Sequence, residues 1–134
     1  MNLKGVVSDA CDSFFVTKDM RERKAKMDEM SDAFVALPGG LGTIEELLEI
    51  ITLKQLYYHR KAIVIMNING YFDNLLAQLE LAVKEHFAKD MCRQLYHVAL
   101  TASEAVDYID NYVPFECADR WLTDVDGKNG RVSN

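Results

Sequence analysis

Ala33-Phe34-Val35-Ala36-Leu37-Pro38-Gly39-Gly40-Leu41-Gly42-Thr43-Ile44-Glu45-Glu46 decides the fold. Its first five residues form a continuous apolar run, cut by Pro38-Gly39-Gly40, which fits a strand buried on both faces. The residues after the glycines have helical spacing. At about 100° per residue, Ile44, Leu47, Leu48 and Ile51 share one face. A strand therefore gives way to a helix within a few residues, three of them glycine. Glycine admits positive φ and lets backbone N–H groups approach a ligand with no Cβ in the way. Thr43 falls at the N-cap or in the first turn of that helix. The free N–H groups and dipole of such an end favour an anion. On spacing alone the loop is either a phosphate cradle or a glycine-rich turn closed by a capping box, Thr43-x-x-Glu46. It is not a Walker loop, because no Lys-Ser/Thr follows the glycines, and it lacks the G-x-G-x-x-G spacing of the dinucleotide fingerprint.

Outward from the loop, short apolar runs alternate with helical patterns. Ser13-Phe14-Phe15-Val16-Thr17 is β-branched and aromatic and reads as a strand. Residues 20–32 are rich in helix formers. A second helix is predicted over 43–57. Ala62-Ile63-Val64-Ile65-Met66 is another buried strand, closed by Asn67-Ile68-Asn69-Gly70. A third helix covers 72–87, a short strand runs from Tyr96 to Leu100, and a fourth helix runs from Ser103 to Tyr112, stopped at Pro114. The order β-α-β-α-β-α-β-α predicts an α/β, Rossmann-like parallel sheet with helices on both faces. Residues 1–113 are expected to form one domain. Residues 114–134 are expected to be an acidic, poorly ordered or loosely docked extension, with Trp121-Leu122 as a local pin. Within it, Asp124-x-Asp126-Gly127 lacks the ligand spacing of a calcium loop.

Composition narrows the partners. The chain has 134 residues and a net charge of −6, with 49% hydrophobic and 27% charged residues. An acidic chain gains no general attraction to phosphate backbones or anionic membranes, so neither nucleic acid nor a membrane is expected as a partner. No apolar run reaches the roughly 18 residues of a membrane span. Met1-Asn2-Leu3-Lys4-Gly5 is not a signal peptide, and the expected location is the cytoplasm. Cys11, Cys92 and Cys117 are far apart and read as free thiols. His59, His86 and His97 are equally scattered and read as surface or half-buried. No metal site is expected.

Two charges sit where charge is costly. The 43–57 helix is apolar on two sides: Ile50, Leu53 and Tyr57 lie nearly opposite the Ile44 face, and Glu46 falls among them. A second subunit is one way to cover that side. Glu45 and Thr52 share a third side. In the preceding helix Met20, Met27 and Met30 form an apolar stripe with Arg23 inside it. Either Arg23 snorkels along the surface, or Arg23 and Lys24 meet an anion or carboxylate near the glycine loop. Consecutive βα units end on one sheet edge, which makes the meeting geometrically feasible.

Met20-Arg21-Glu22-Arg23-Lys24 and Pro38-Gly39-Gly40-Leu41-Gly42-Thr43-Ile44-Glu45-Glu46 resemble the paired signatures M-x-x-R-K and P-G-G-x-G-T-x-E-E of the LOG (Lonely Guy) family, often labelled "lysine decarboxylase-like". The resemblance runs from about Asp12 to Pro114. It implies a Rossmann-like fold and a phosphoribohydrolase reaction, in which a nucleoside 5′-monophosphate, often a cytokinin ribotide, is cleaved to free base and ribose 5-phosphate. AMP-type nucleotides are implied ligands. By position, Arg23 and Glu46 take the family's catalytic places. Lys24, Gly39, Gly40, Gly42, Thr43 and Glu45 take nucleotide-contact places, with Thr52 a weaker match. No cofactor is implied, and nothing in the sequence suggests a pyridoxal phosphate site. Family members are typically dimers with the site near the interface, so a homodimer is expected.

The family pattern also includes a stretch before the Met-x-x-Arg-Lys helix, with further strands, another glycine-rich phosphate segment and an acidic ligand contact. Neither Asp9 nor Asp12 matches that acid. The chain is accordingly expected to hold the C-terminal portion of the fold. The alternative to an active hydrolase is an impaired nucleotide-binding or dimerisation module of the same ancestry.

Overall fold

The computed structural model describes residues 11–114. Asp9, Cys117, Trp121 and the rest of the acidic extension lie outside the described residues. The chain divides into two compact units between Ser31 and Asp32.

In the first unit, α1 (Met20–Met30) forms from good helix formers. Asp19 is its N-cap. The Asp19 carboxylate accepts from the Glu22 N–H at 2.9 Å, and the Glu22 carboxylate reaches back to the Lys18 N–H at 2.5 Å. Residues 13–17, predicted as a strand, do not form one. Phe14, Phe15 and Val16 are exposed. Their composition favours an extended chain, but a strand exists only as part of a ladder, and the described sheet draws its three strands from the second unit. The Lys26 ammonium lies 5.3 Å from the Phe15 ring centroid. No residue of α1 is buried.

The second unit contains β1 (Ala33–Ala36), α2 (Leu41–Gln55), β2 (Ala62–Met66), α3 (Asp73–Lys84), β3 (His97–Ala99) and α4 (Ala102–Asp110). The three strands are all parallel, in the order β1-β2-β3, with Val35 opposite Val64 and Val64 opposite His97. Parallel neighbours need a crossover, which α2 and α3 supply. All five residues of β2 are buried. Alternate side chains point to opposite faces. Ile63 and Ile65 therefore join Leu47 and Ile51 of α2 with Phe72 and Leu95. Val64 and Met66 join Ala99 and Ala105 of α4. The predicted α/β sheet with helices on both faces is what forms.

β1 departs from expectation. Its apolar run was read as buried on both faces, yet Val35 is 46% exposed. Phe34 and Ala36 pack against the first cluster, whereas α4 packs on β2 and β3. β1 is an edge strand of the described sheet, so the neighbour that would bury Val35 is missing there. Among the described residues no helix is long and apolar enough to cross a membrane.

Because the strands are parallel, the loops after Ala36, Met66 and Ala99 share one edge. This is the edge at which open parallel sheets bind ligands.

Candidate functional site: a glycine loop at the carboxyl edge of the sheet

The β1–α2 loop ends at Gly40, the N-cap of α2, with φ −86° and ψ −158°. Glycine has no side chain to cap the first turn, and none does so. The first N–H groups of a helix have no intrahelical partner, so α2 presents them outward. Leu41, Gly42 and Gly40 are all exposed. Thr43 is the third helical residue. It therefore supplies a first-turn hydroxyl, and the capping box Thr43-x-x-Glu46 does not form, because the helix begins two residues before Thr43.

Gly39 has a steric reason to be glycine. A Cβ there would stand 2.2 Å from Thr43 Oγ1 and 2.9 Å from Thr43 Cβ. The turn folds so tightly onto the first helical turn that no other residue fits without displacing Thr43. A Cβ on Gly40 or Gly42 would meet nothing within 4 Å. Those two glycines keep open the space in front of the helix end.

A second loop closes on the first. Tyr71, in the β2–α3 connection, donates its hydroxyl to the Gly39 carbonyl at 2.5 Å. The connection is held rigidly. Asn67 Oδ1 accepts from the Phe72 N–H at 2.8 Å, Asn67 Nδ2 donates to Asp73 Oδ1 at 2.7 Å, and the Asn67 N–H donates to the Ala99 carbonyl at 2.9 Å. Gly70 has φ +70°, and a Cβ there would meet Asp73 Oδ2 at 2.5 Å.

The residues singled out from sequence are placed as follows. Gly39, Gly40, Gly42 and Thr43 come together at the α2 N-terminus. Glu46 is half-buried and lies about 9 Å along the helix axis from Gly40 at 1.5 Å per residue. Glu45 is exposed beside it. Thr52 is about 15 Å along the axis from Gly42, and its hydroxyl donates to the Leu48 carbonyl at 2.8 Å. The glycine end and Thr52 are thus at different ends of α2. Arg23, exposed, and Lys24, half-buried, are on α1 in the first unit. The Met20, Met27 and Met30 stripe around Arg23 is exposed. On the second apolar side of α2, Ile50 packs against the Ile63–Ile65 cluster.

Two features escaped the sequence reading. One is Tyr71, for which no local pattern signals a partner 32 residues away. The other is Lys54, only 5% exposed. It continues the sheet-facing stripe of Leu47 and Ile51 by helical spacing, which was the available signal. Its ammonium has no hydrogen-bond partner and lies 4.8 Å from the Tyr112 ring centroid. Burial lowers its pKa from 10.5 to about 8. His59, read as a surface or half-buried side chain, is buried: Nε2 meets the Ile50 carbonyl at 2.8 Å, and Nδ1 accepts from the Lys61 N–H at 3.2 Å. Both ring nitrogens are satisfied, which is what allows the imidazole inside. Cys11 and Cys92 are free thiols.

A parallel sheet with helices on both faces and an uncapped glycine turn at its carboxyl edge makes this a Rossmann-like α/β protein. Comparison with known proteins then gives its kin. Residues 2–109 match the family described as "possible lysine decarboxylase". The chain is 43% identical over 114 residues to a probable cytokinin riboside 5′-monophosphate phosphoribohydrolase of Oryza sativa subsp. japonica, covering 85% of this chain and 53% of the relative. It is 46% identical over 105 residues to a cytokinin riboside 5′-monophosphate phosphoribohydrolase of Arabidopsis thaliana, covering 78% of this chain and 48% of the relative. The chain belongs to this lysine decarboxylase-like, or LOG, family. It spans about half the length of the curated relatives it matches.

Proposed function

We propose that the chain serves a phosphoribohydrolase, which cleaves the N-glycosidic bond of a nucleoside 5′-monophosphate of the AMP or cytokinin-ribotide type to free base and ribose 5-phosphate. The observation that carries this reading is the uncapped glycine end of α2 at the carboxyl edge of the sheet, with a half-buried carboxylate, Glu46, on the same helix. The activity for which the relatives are named supports the same chemistry.

The glycine end grips the 5′-phosphate through Gly39, Gly40, Gly42 and Thr43, since an anion there meets free N–H groups and the positive end of the dipole. Cleavage develops oxocarbenium character at the ribose. Glu46 stabilises that cation or activates the attacking water, and Arg23 takes the family's other catalytic place, with the phosphate or ribose as its ligand. Lys24 and Glu45 serve as further nucleotide contacts. Thr52, three turns from the glycine end, contacts the ligand away from its phosphate. The protein acts as a homodimer in the cytoplasm. Exposed Leu56 and Tyr58 beyond α2 support a partner surface there, and the free thiols suit a reducing compartment. A stable monomer in sedimentation at micromolar concentration would contradict the dimer.

Incubation with AMP, following release of adenine, tests the reaction. Glu46→Gln is expected to lower turnover by about 10²–10⁴-fold, the usual worth of a positioned acid or base, while AMP still binds. Full turnover in Glu46→Gln would remove Glu46 from the chemistry. AMP that raises the melting temperature of the wild-type chain without any base release would leave a nucleotide-binding module instead.

A further inference from the structure

The Tyr71 hydroxyl is exposed, sits on a different loop from the glycine turn, and donates to a backbone carbonyl within that turn. We infer that Tyr71 is a positioning residue that sets the Gly39–Gly40 peptide so that the Gly40 amide faces the ligand's phosphate. This rests on the phosphate grip proposed above.

The argument is geometric. A trans peptide is planar, with its C=O and N–H pointing in opposite directions, and the described chain has no cis peptide. Fixing the Gly39 carbonyl on Tyr71 therefore turns the Gly40 N–H away from Tyr71. Gly40 is exposed, and a Cβ on it would meet open space, so ligand can reach that side. Without the hydroxyl, glycines on both sides of the peptide leave it free to rotate, because glycine restricts φ and ψ least of all residues. An amide that must be oriented at the moment of binding costs entropy, and one already fixed does not.

Tyr71 is itself built to hold still. Its ring meets Phe72 edge-on, with centroids 5.0 Å apart and planes at 90°. Phe72 is 2% exposed and belongs to the main core cluster. Asn69 at φ 52° and Gly70 at φ 70° make the sharp bend that presents the ring, and Asn67 ties the bend to Phe72, Asp73 and Ala99. Such an investment in one exposed phenol is disproportionate for a surface residue. A hydroxyl so fixed acts as the clamp of the neighbouring loop.

The test uses the 134-residue chain, isotope-labelled, with the Gly40 amide resonance followed during titration with inorganic phosphate and, separately, with adenosine, which lacks the phosphate. In the wild type the Gly40 amide shifts saturably with phosphate. Tyr71→Phe keeps the ring and removes the hydroxyl. It is expected to weaken phosphate binding about tenfold, the upper range for one hydrogen bond, with adenosine affinity and melting temperature nearly unchanged. Tyr71→Phe binding phosphate as tightly as wild type, or losing phosphate and adenosine equally, would overturn the positioning role while leaving the grip intact. A wild-type Gly40 amide indifferent to phosphate would overturn the grip itself and this role with it.

Discussion

Two helices of the second unit begin on the same edge of the same sheet and treat their first turn in opposite ways. At α4, Thr101 is the N-cap and its hydroxyl accepts from the Glu104 N–H at 3.2 Å, while the Glu104 carboxylate accepts from the Leu100 N–H at 2.8 Å and meets His97 Nε2 at 3.3 Å. At α2, Gly40 is the N-cap and no side chain caps. Both ends carry the same partial positive charge. Glycine at an N-cap costs only a few tenths of a kcal/mol relative to Ser or Thr, because water solvates the exposed amides. Stability therefore hardly distinguishes the two junctions. What distinguishes them is availability: α4 has its Glu104 N–H occupied by the Thr101 hydroxyl, and no side chain caps α2.

The sharpest way to break this contrast is to give α2 a cap. Gly40→Asp has room for its side chain, and φ −86° suits any residue. The added carboxylate would occupy the first-turn amides and place a negative charge where the phosphate is proposed to sit. AMP affinity is expected to fall about a hundredfold, the loss of one or two charge-assisted hydrogen bonds at about 1.5–3 kcal/mol each. The melting temperature should hold or rise slightly. Unchanged AMP affinity by calorimetry would show that the open end is not the anion site.

The β1–α2 junction was readable because its signals are local: an apolar run, a proline, three glycines and a helical period within fifteen residues. β2 was readable for the same reason. The errors share one cause, which is that burial depends on partners distant in sequence. Val35 looked buried because its run is apolar, yet the described sheet ends at β1. Residues 13–17 have strand composition and, among the described residues, no ladder to join. For Thr43 the sequence left the N-cap and the first turn open, and the helix start at Leu41 selects the first turn. Lys54 drew no reading at all, although its spacing from Leu47 and Ile51 aims it inward.

That lysine sharpens the comparison from the other end of α2. The helix leaves its N-terminal donors open to water and buries an ammonium without a hydrogen-bond partner near its C-terminus. Folding pushes the Lys54 pKa from 10.5 to about 8. Between those values the unfolded chain holds a proton that the folded chain has released, so stability rises with pH across that window. Below pH 8 the penalty is fully present, at roughly 3 kcal/mol for a shift of this size. Lys54→Met removes the charge and keeps most of the volume. At pH 7 it is expected to stabilise the chain by about 2 kcal/mol in urea unfolding, and the gain should shrink as pH rises above 8. A variant less stable than wild type at pH 7 would mean that the contact with Tyr112 outweighs the burial of charge.

A smaller effect is expected at the capped junction. Thr101→Ala removes the hydroxyl from the α4 N-cap and should cost about 1 kcal/mol, with AMP affinity unchanged. The contrast with Gly40→Asp is a double dissociation: one change moves affinity and hardly stability, the other stability and not affinity. If Thr101→Ala weakens AMP binding as much as Gly40→Asp does, the two helix ends do not have separate duties.

The smallest effect belongs to Glu104. The Leu100 N–H, and next His97, hold its carboxyl below the ordinary carboxylate range. A carboxyl lowered by folding stabilises the folded chain above its unfolded pKa, and that contribution disappears as pH falls through the lower, folded value. Glu104→Gln can still accept a hydrogen bond from Leu100 but carries no charge. Wild type should therefore melt slightly higher than Glu104→Gln at pH 6, with the difference closing as the pH is lowered past the ordinary carboxylate range. A difference that stays constant with pH would assign the cap's worth to hydrogen-bond geometry alone. In that case α4 would be capped by neutral bonds, and charge at a helix N-terminus would matter in this protein only where Gly40 leaves the end open.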